Sequence, residues 1–206
     1  MVNHLFWDMG GTLVDTYPQL DAALAQVVTA HGATVTLDEV AELTRRSTGD
    51  AISALATRFD IDEDEFEAAN DALKKHWLTD PAPVMPGAHE VMDAIRSRGG
   101  LNLVVTHRDR ASATSLVDSL GLQIDDLVST EDGFARKPDP AMYVELLRRH
   151  NLDPGDCLGV GDRRIDSQAA RGAGMSSASL MPDDPDADHQ LGELNDLFSV
   201  LGLPQG

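Results

Sequence analysis

The sequence predicts an α/β fold, a Rossmann-like parallel sheet with helices on both faces, plus an inserted bundle of four helices. Three observations predict it. From residue 87 onward, short apolar runs ending at polar residues alternate with helical periodicity, the pattern of strands joined by crossover helices. Over residues 16–80, four amphipathic stripes follow one another with no strand between them. The proline-rich stretch DPAPVMPG at 80–87 separates the two regimes. A chain of 206 residues with 42% hydrophobic content can bury a core without staples.

HLFWDM (4–9) is an apolar run that stops at Asp8 and is followed by Gly10-Gly11, a buried strand meeting a tight turn. Leu20, Leu24, Val27 and Val28 share the first helical face. Leu37, Val40 and Ala41 share the second, behind a capping box of Thr36 and Glu39. Ile52, Leu55, Ala56 and Phe59 make the third stripe, and Phe66, Ala69, Leu73 and Trp77 the fourth. After the connector come a helix at 87–98, a strand in GLNLVV (100–105) and a helix through Ala113, Leu116, Val117 and Leu120. DLVST (126–130), CLGVGD (157–162) and SSASL (176–180) are further strands, with helices near 140–150 and 164–173. PDDPDAD (182–188) reads as a mobile acidic loop, and Leu191, Leu194, Phe198 and Leu201 as one docked helix. The resulting division is 1–15 with 83–206 for the α/β part and 16–82 for the helical part.

Bulk properties exclude several functions. The net charge is −19, from 35 acidic and 16 basic residues. Nucleic acid is not expected as a partner, because affinity for it rests on neutralising phosphates. Any anion site must carry its own local cations against this field. The single cysteine rules out an internal disulfide and fits a reducing compartment. The start MVNHLFWDMGG lacks the basic and apolar regions of a secretory leader, and no apolar stretch approaches the roughly 18 residues of a membrane span. The expectation is a cytoplasmic protein with no membrane partner.

In a parallel sheet, ligands gather beyond the carboxyl ends of the strands. Asp8, Thr106, Asp162 and Asp166 fall at such ends, and Lys137 follows the third strand closely. Carboxylates at Asp8 and Asp162 suit a magnesium ion, which prefers oxygen ligands and keeps several waters. Thr106 and the N–H after it suit a phosphoryl oxygen, Lys137 supplies a point charge, and an aspartate can form an aspartyl-phosphate.

These residues resemble a known family. Asp8-Met9-Gly10-Gly11-Thr12-Leu13-Val14-Asp15 is similar to the first motif of the haloacid dehalogenase superfamily. Leu103-Val104-Val105-Thr106 resembles its second motif, Lys137-Pro138 its third, and Gly161-Asp162-Arg163-Arg164-Ile165-Asp166 its fourth. The helical insert resembles the small cap of phosphoglycolate phosphatase-like members. The resemblance implies a phosphatase with Asp8 as nucleophile, acting on a small-molecule phosphate ester. It implies Mg2+ held by Asp8, the Gly10 carbonyl and Asp162, with Asp166 at or beside the metal. Gly11, Thr12, His107 and Arg108 are then expected to meet substrate, as are Arg45 and Arg46, which lie between two cap helices.

One departure stands out. The family's phosphatases carry an aspartate two residues after the nucleophile, acting as general acid and then base. Here that residue is Gly10, and Thr12 and Asp15 fix the register. General acid–base groups contribute about 10²–10⁴-fold, so fast hydrolysis of alkyl phosphates is in question. His107 is either a surrogate acid or an exposed loop histidine. Asp15 reads as tying the turn, Trp7, Met9 and Cys157 as packing, and Lys74 and Lys75 as a surface face. The competing function is a catalytically weak magnesium- and phosphate-binding regulator.

Overall fold

The computed structural model describes residues 2–204. The chain divides into two compact units, Met1–Val14 with Val84–Gly206, and Asp15–Pro83.

In the first unit, β1 (His4–Trp7), β2 (Asn102–Val105), β3 (Asp126–Val128), β4 (Cys157–Gly161), β5 (Ser176–Ser179) and β6 (His189–Gln190) form one sheet in the order β3-β2-β1-β4-β5-β6. Every pairing is parallel. β1 is central and buried along Leu5, Phe6 and Trp7, as an all-parallel sheet covered on both faces requires. On one face, α7 (Ala141–His150) and α8 (Arg164–Gly172) bring Tyr143, Leu146, Ala169 and Ala170 onto Phe6, Leu103 and Val105. The alternate residues point the other way. There Trp7 Nε1 donates to Asn102 Oδ1 at 3.0 Å, and Asn102 Nδ2 donates to the Met92 carbonyl in α5 (Ala88–Ser97) at 3.0 Å. α6 (Arg110–Leu120) links β2 to β3.

The second unit holds α1 (Tyr17–Ala30), α2 (Leu37–Thr44), α3 (Thr48–Phe59) and α4 (Glu63–His76). The four helices share one apolar core containing Leu24, Val28, Val40, Ile52, Leu55 and Phe66, whereas Leu37, expected on the second buried face, is exposed in the first turn of α2. The capping box is present: Thr36 Oγ1 accepts from Glu39 N at 3.2 Å, and Glu39 Oε2 accepts from Thr36 N at 2.9 Å. Ser47 Oγ accepts from Asp50 N at 2.9 Å and Asp62 Oδ1 accepts from Asp64 N at 3.1 Å, one-way side-chain caps on α3 and α4.

Two further expectations are corrected. The acidic stretch 182–188 is tied down rather than loose. Ser167 Oγ donates to buried Asp184 at 2.7 Å, Arg164 and Gln168 donate to Asp186, and Ser177 N donates to Asp188 at 2.9 Å. The carboxylates hold this segment against α8 and lead it into β6. In the tail, Leu191, Leu194, Phe198 and Leu201 are all buried, but α9 spans Asp196–Val200 alone. Leu191 N instead donates to Ser179 O at 2.9 Å, extending the sheet edge, and Asp196 Oδ2 accepts from Gly192 and Glu193 to bend the chain.

Candidate active site

The strand order reverses between β1 and β4, since β1 connects onward to β2 on one side while β4 lies on the other. A crevice opens at such a point. Asp8 leaves β1 there, its N–H donating to Val160 O at 2.9 Å, and Asp162 leaves β4 beside it. Strand alternation puts Asp8 on the same face as Phe6, over α7 and α8. Two glycines in β4 admit α8 to that face. A Cβ on Gly159 would stand 2.5 Å from Ala170 Cβ, and one on Gly161 would stand 2.3 Å from Asp166 Cβ. Gly161 therefore makes the room in which Asp166, in the first turn of α8, reaches the strand end.

Lys137 comes from the loop between β3 and α7. Its buried Nζ lies 2.5 Å from Asp8 Oδ1, 2.6 Å from Asp166 Oδ1 and 3.1 Å from Val105 O. Asp166 Oδ1 meets the ammonium as an ion pair outside hydrogen-bond geometry, while Asp166 Oδ2 accepts from Arg163 N at 3.1 Å. Asp8 Oδ2 is buried and accepts no hydrogen bond from the described residues. Oxygens of Asp8, Asp162 and Asp166 lie within 4.8 Å of one another. An all-carboxylate donor set with an unsatisfied oxygen on Asp8 fits a hard divalent cation.

The electrostatics separate the carboxylates. Burial opposes ionisation of Asp8, but Lys137 first and then Arg163 outweigh it and hold the carboxyl below its usual range. Burial pushes Asp166 up, Lys137 pulls it down and the charge of Asp8 raises it again, for a net upward shift. Lys137 is held charged: burial disfavours the ammonium, and Asp166 and Asp8 reverse that. Asp8 is thus kept as an anion whose second oxygen has no partner.

The other expected residues are distributed as follows. Thr106 is buried at the end of β2, and its Oγ1 accepts from Arg108 N at 3.2 Å. Thr12, expected at the substrate, is buried and donates its hydroxyl to Asp162 Oδ1 at 3.2 Å, so it orients a carboxylate. In the turn after Asp8, Gly11 takes the left-handed conformation (φ 84°) and Gly10 does not. Arg108 is partly buried, and Asp8 and Asp109 counter the effect of that burial on its guanidinium. Arg45 and Arg46 are exposed at the end of α2 in the helical unit, with the Arg45 guanidinium 4.7 Å above the Tyr17 ring.

His107 differs from the reading of it as an exposed loop histidine. It is half-buried, and burial followed by Lys137, Arg136 and Arg163 pushes its imidazole down to about 4. Its Nε2 accepts from Lys137 N at 3.0 Å. The ring is thus not an exposed loop histidine, and one of its nitrogens is already accepting. Gly161 and the His107–Lys137 contact are the features that sequence reasoning did not assign. A glycine at a strand end carries a faint signal of close approach, whereas a contact across 30 residues carries none.

The geometry meets its relatives here. The family model for haloacid dehalogenase-like hydrolases matches residues 2–174. The chain belongs to the haloacid dehalogenase-like hydrolases. It is 31% identical over 190 residues to a phosphoglycolate phosphatase of Rhodospirillum rubrum, covering 85% of this chain and 78% of that protein. It is 28% identical over 181 residues to an N-acetylmuramic acid 6-phosphate phosphatase of Pseudomonas putida, covering 85% and 81%. Among solved structures, a hydrolase from Streptococcus pneumoniae is similar over 98% of this chain and 99% of its own, with TM-score 0.75 and 25% identity. A family hydrolase from Deinococcus radiodurans shares the fold at TM-score 0.79 and 19% identity, over 98% of this chain and 95% of its own. This haloacid dehalogenase-like chain is accordingly a hydrolase of the phosphatase type. No helix among the described residues is long and apolar enough to cross a membrane.

Proposed function

We propose that the chain is a magnesium-dependent phosphohydrolase of a small phosphorylated metabolite, working through an aspartyl-phosphate on Asp8 and slowed on alkyl esters by Gly10. The observation that carries the reading is the state of Asp8: buried, ionised, one oxygen bound by Lys137 and the other without a partner. Magnesium would be held by Asp8, the Gly10 carbonyl and Asp162, with Asp166 beside them, and when bound supplies positive charge against the phosphate dianion.

One carboxylate oxygen of Asp8 attacks phosphorus, an Asp8–O–P bond forms, and the P–O bond to the leaving group breaks with its electron pair passing to the departing oxygen. Lys137 offsets charge on Asp8 and on the transferring group, Thr106 and Arg108 bind phosphoryl oxygens, and Gly11 lets the turn approach them. The departing oxygen needs a proton unless it is a weak base. Gly10 offers none, and His107 is neutral with Nε2 engaged. Water then attacks phosphorus, the Asp8–O–P bond breaks with its electron pair returning to the Asp8 carboxylate, and inorganic phosphate leaves, again with no carboxylate at residue 10 to take the proton of the water.

The helical unit, residues 16–82 by sequence, is assigned as a cap that closes over the substrate, with Arg45 and Arg46 reading its distal end. Its hinges are residues 14–18 and 80–86, where Val14 and Val84 form an antiparallel bridge. The cytoplasm is the proposed compartment. A second reading, a magnesium- and phosphate-binding regulator, is favoured by Gly10 alone.

A phosphate-ester panel with and without magnesium tests the proposal, alongside calorimetric magnesium titration of wild type and Asp162→Asn. Magnesium-dependent turnover and at least about tenfold weaker binding by the variant are expected, since a charged oxygen ligand is lost. Equal affinities would remove Asp162 from the metal site. Binding without turnover on any ester would leave the regulator.

A further inference from the structure

We infer that His107 is a positioning residue that aims Lys137 at the nucleophile, an inference that rests on the reading of Lys137 as the cation of the phosphate site. Lys137 lies outside the sheet ladder and the helices, in the loop that precedes α7. Both ends of the residue are nevertheless attached to the end of β2. Its Nζ donates to Val105 O at 3.1 Å, and its backbone N–H donates to His107 Nε2 at 3.0 Å. Residues 105 and 107 thus clamp the lysine at its head and at its root, and Asp8 receives the ammonium that this clamp presents.

The loop that carries His107 is itself fixed. Thr106 Oγ1 accepts from Arg108 N at 3.2 Å, and Thr130 Oγ1, just beyond β3, donates to Arg108 O at 3.2 Å. The anchoring contact sets the imidazole tautomer. Nε2 accepts, so the proton of the neutral ring is on Nδ1. An outer partner that orients a functional side chain is commonly worth about 10–100-fold in affinity or activity. Losing the acceptor at 107 would free the root of Lys137 while leaving its head on Val105, so that the ammonium is still present and is no longer aimed.

Two measurements on the whole chain test this. Nitrogen-15 NMR of the histidine rings at neutral pH should show His107 as the Nδ1–H tautomer, and an Nε2–H ring would overturn the inference without reference to any activity. Next, His107→Gln and His107→Leu are compared by calorimetric binding of inorganic phosphate in the presence of magnesium. Glutamine Oε1 can take the Lys137 N–H, and leucine cannot. Glutamine should stay within about threefold of wild type and leucine should lose about 10–100-fold, with similar thermal midpoints. Equal behaviour of the two variants would overturn the inference, and if leucine does not fold, the tautomer together with the glutamine result decides. If the tautomer and the rescue hold while no ester is hydrolysed, the phosphatase reading fails and the positioning role stands.

Discussion

The helical unit and the α/β unit bury polar groups in opposite ways. In the helical unit the core is apolar, and its buried acid, Asp21, is answered within the unit by Thr44 Oγ1 at 2.6 Å. Three of its four helix starts are capped locally by side chains, by Thr36 with Glu39, by Ser47 and by Asp62. In the α/β unit, Asp8, Asp162, Asp166 and Lys137 are all buried at one end of two adjacent strands. Charges taken out of water weaken a fold unless pairing offsets the loss, and replacing such a pair by apolar residues often stabilises. The difference separates parts that need a pattern from parts that need particular atoms. The helical unit stands on periodicity and caps, whereas the strand ends hold a charge arrangement that folding alone does not call for.

Substitutions can break this contrast, and the largest effect is expected at Lys137. Lys137→Met leaves Asp8 and Asp166 buried without their shared cation. It should cost about 3–5 kcal/mol in denaturant unfolding and at least about 10²–10³-fold in turnover. A variant as stable as wild type would show that the cluster is not held by this ion pair. Next in size is Leu55→Ala in the helical core, fully buried in wild type. A loss of about 2–5 kcal/mol is expected, with magnesium affinity at the carboxylates unchanged; a fall in affinity would show that the two units are not energetically separate. The smallest effect belongs to Thr36→Ala, which removes the hydroxyl of the capping box and should cost about 1 kcal/mol with no change in any activity.

The same contrast explains what was legible in the sequence. The four helices and five of the strands announce themselves, because burial on one face or both writes a period of 3.6 or an unbroken apolar run. β6 does not, since His189 and Gln190 are exposed and too few to show a period. The stretch before it reads as solvated acid, yet its carboxylates accept from Ser167, Arg164 and Ser177, partners that no local pattern reveals. Asp8, Lys137, Asp162 and Asp166 could be picked out because each sits just past a strand. Their roles could not be divided, because the division rests on distances: Lys137 between Asp8 and Asp166, Thr12 on Asp162, His107 on the root of Lys137. Gly10 is the reverse case, because the carboxylate whose absence there the proposal turns on is read from the sequence alone.

The turn around Gly10 also makes the central claim testable. The left-handed residue there is Gly11, so the backbone at residue 10 does not itself require glycine. The direct measurement is the dependence of kcat/KM on leaving-group pKa for a series of aryl and alkyl phosphates, in wild type and in Gly10→Asp. Wild type should show a steep dependence, with aryl esters cleaved and alkyl esters nearly inert. Gly10→Asp should flatten the series by raising alkyl turnover about 10²–10⁴-fold while changing aryl turnover little. Wild-type cleavage of alkyl phosphates at ordinary enzyme rates, with no dependence on the leaving group, would contradict the account.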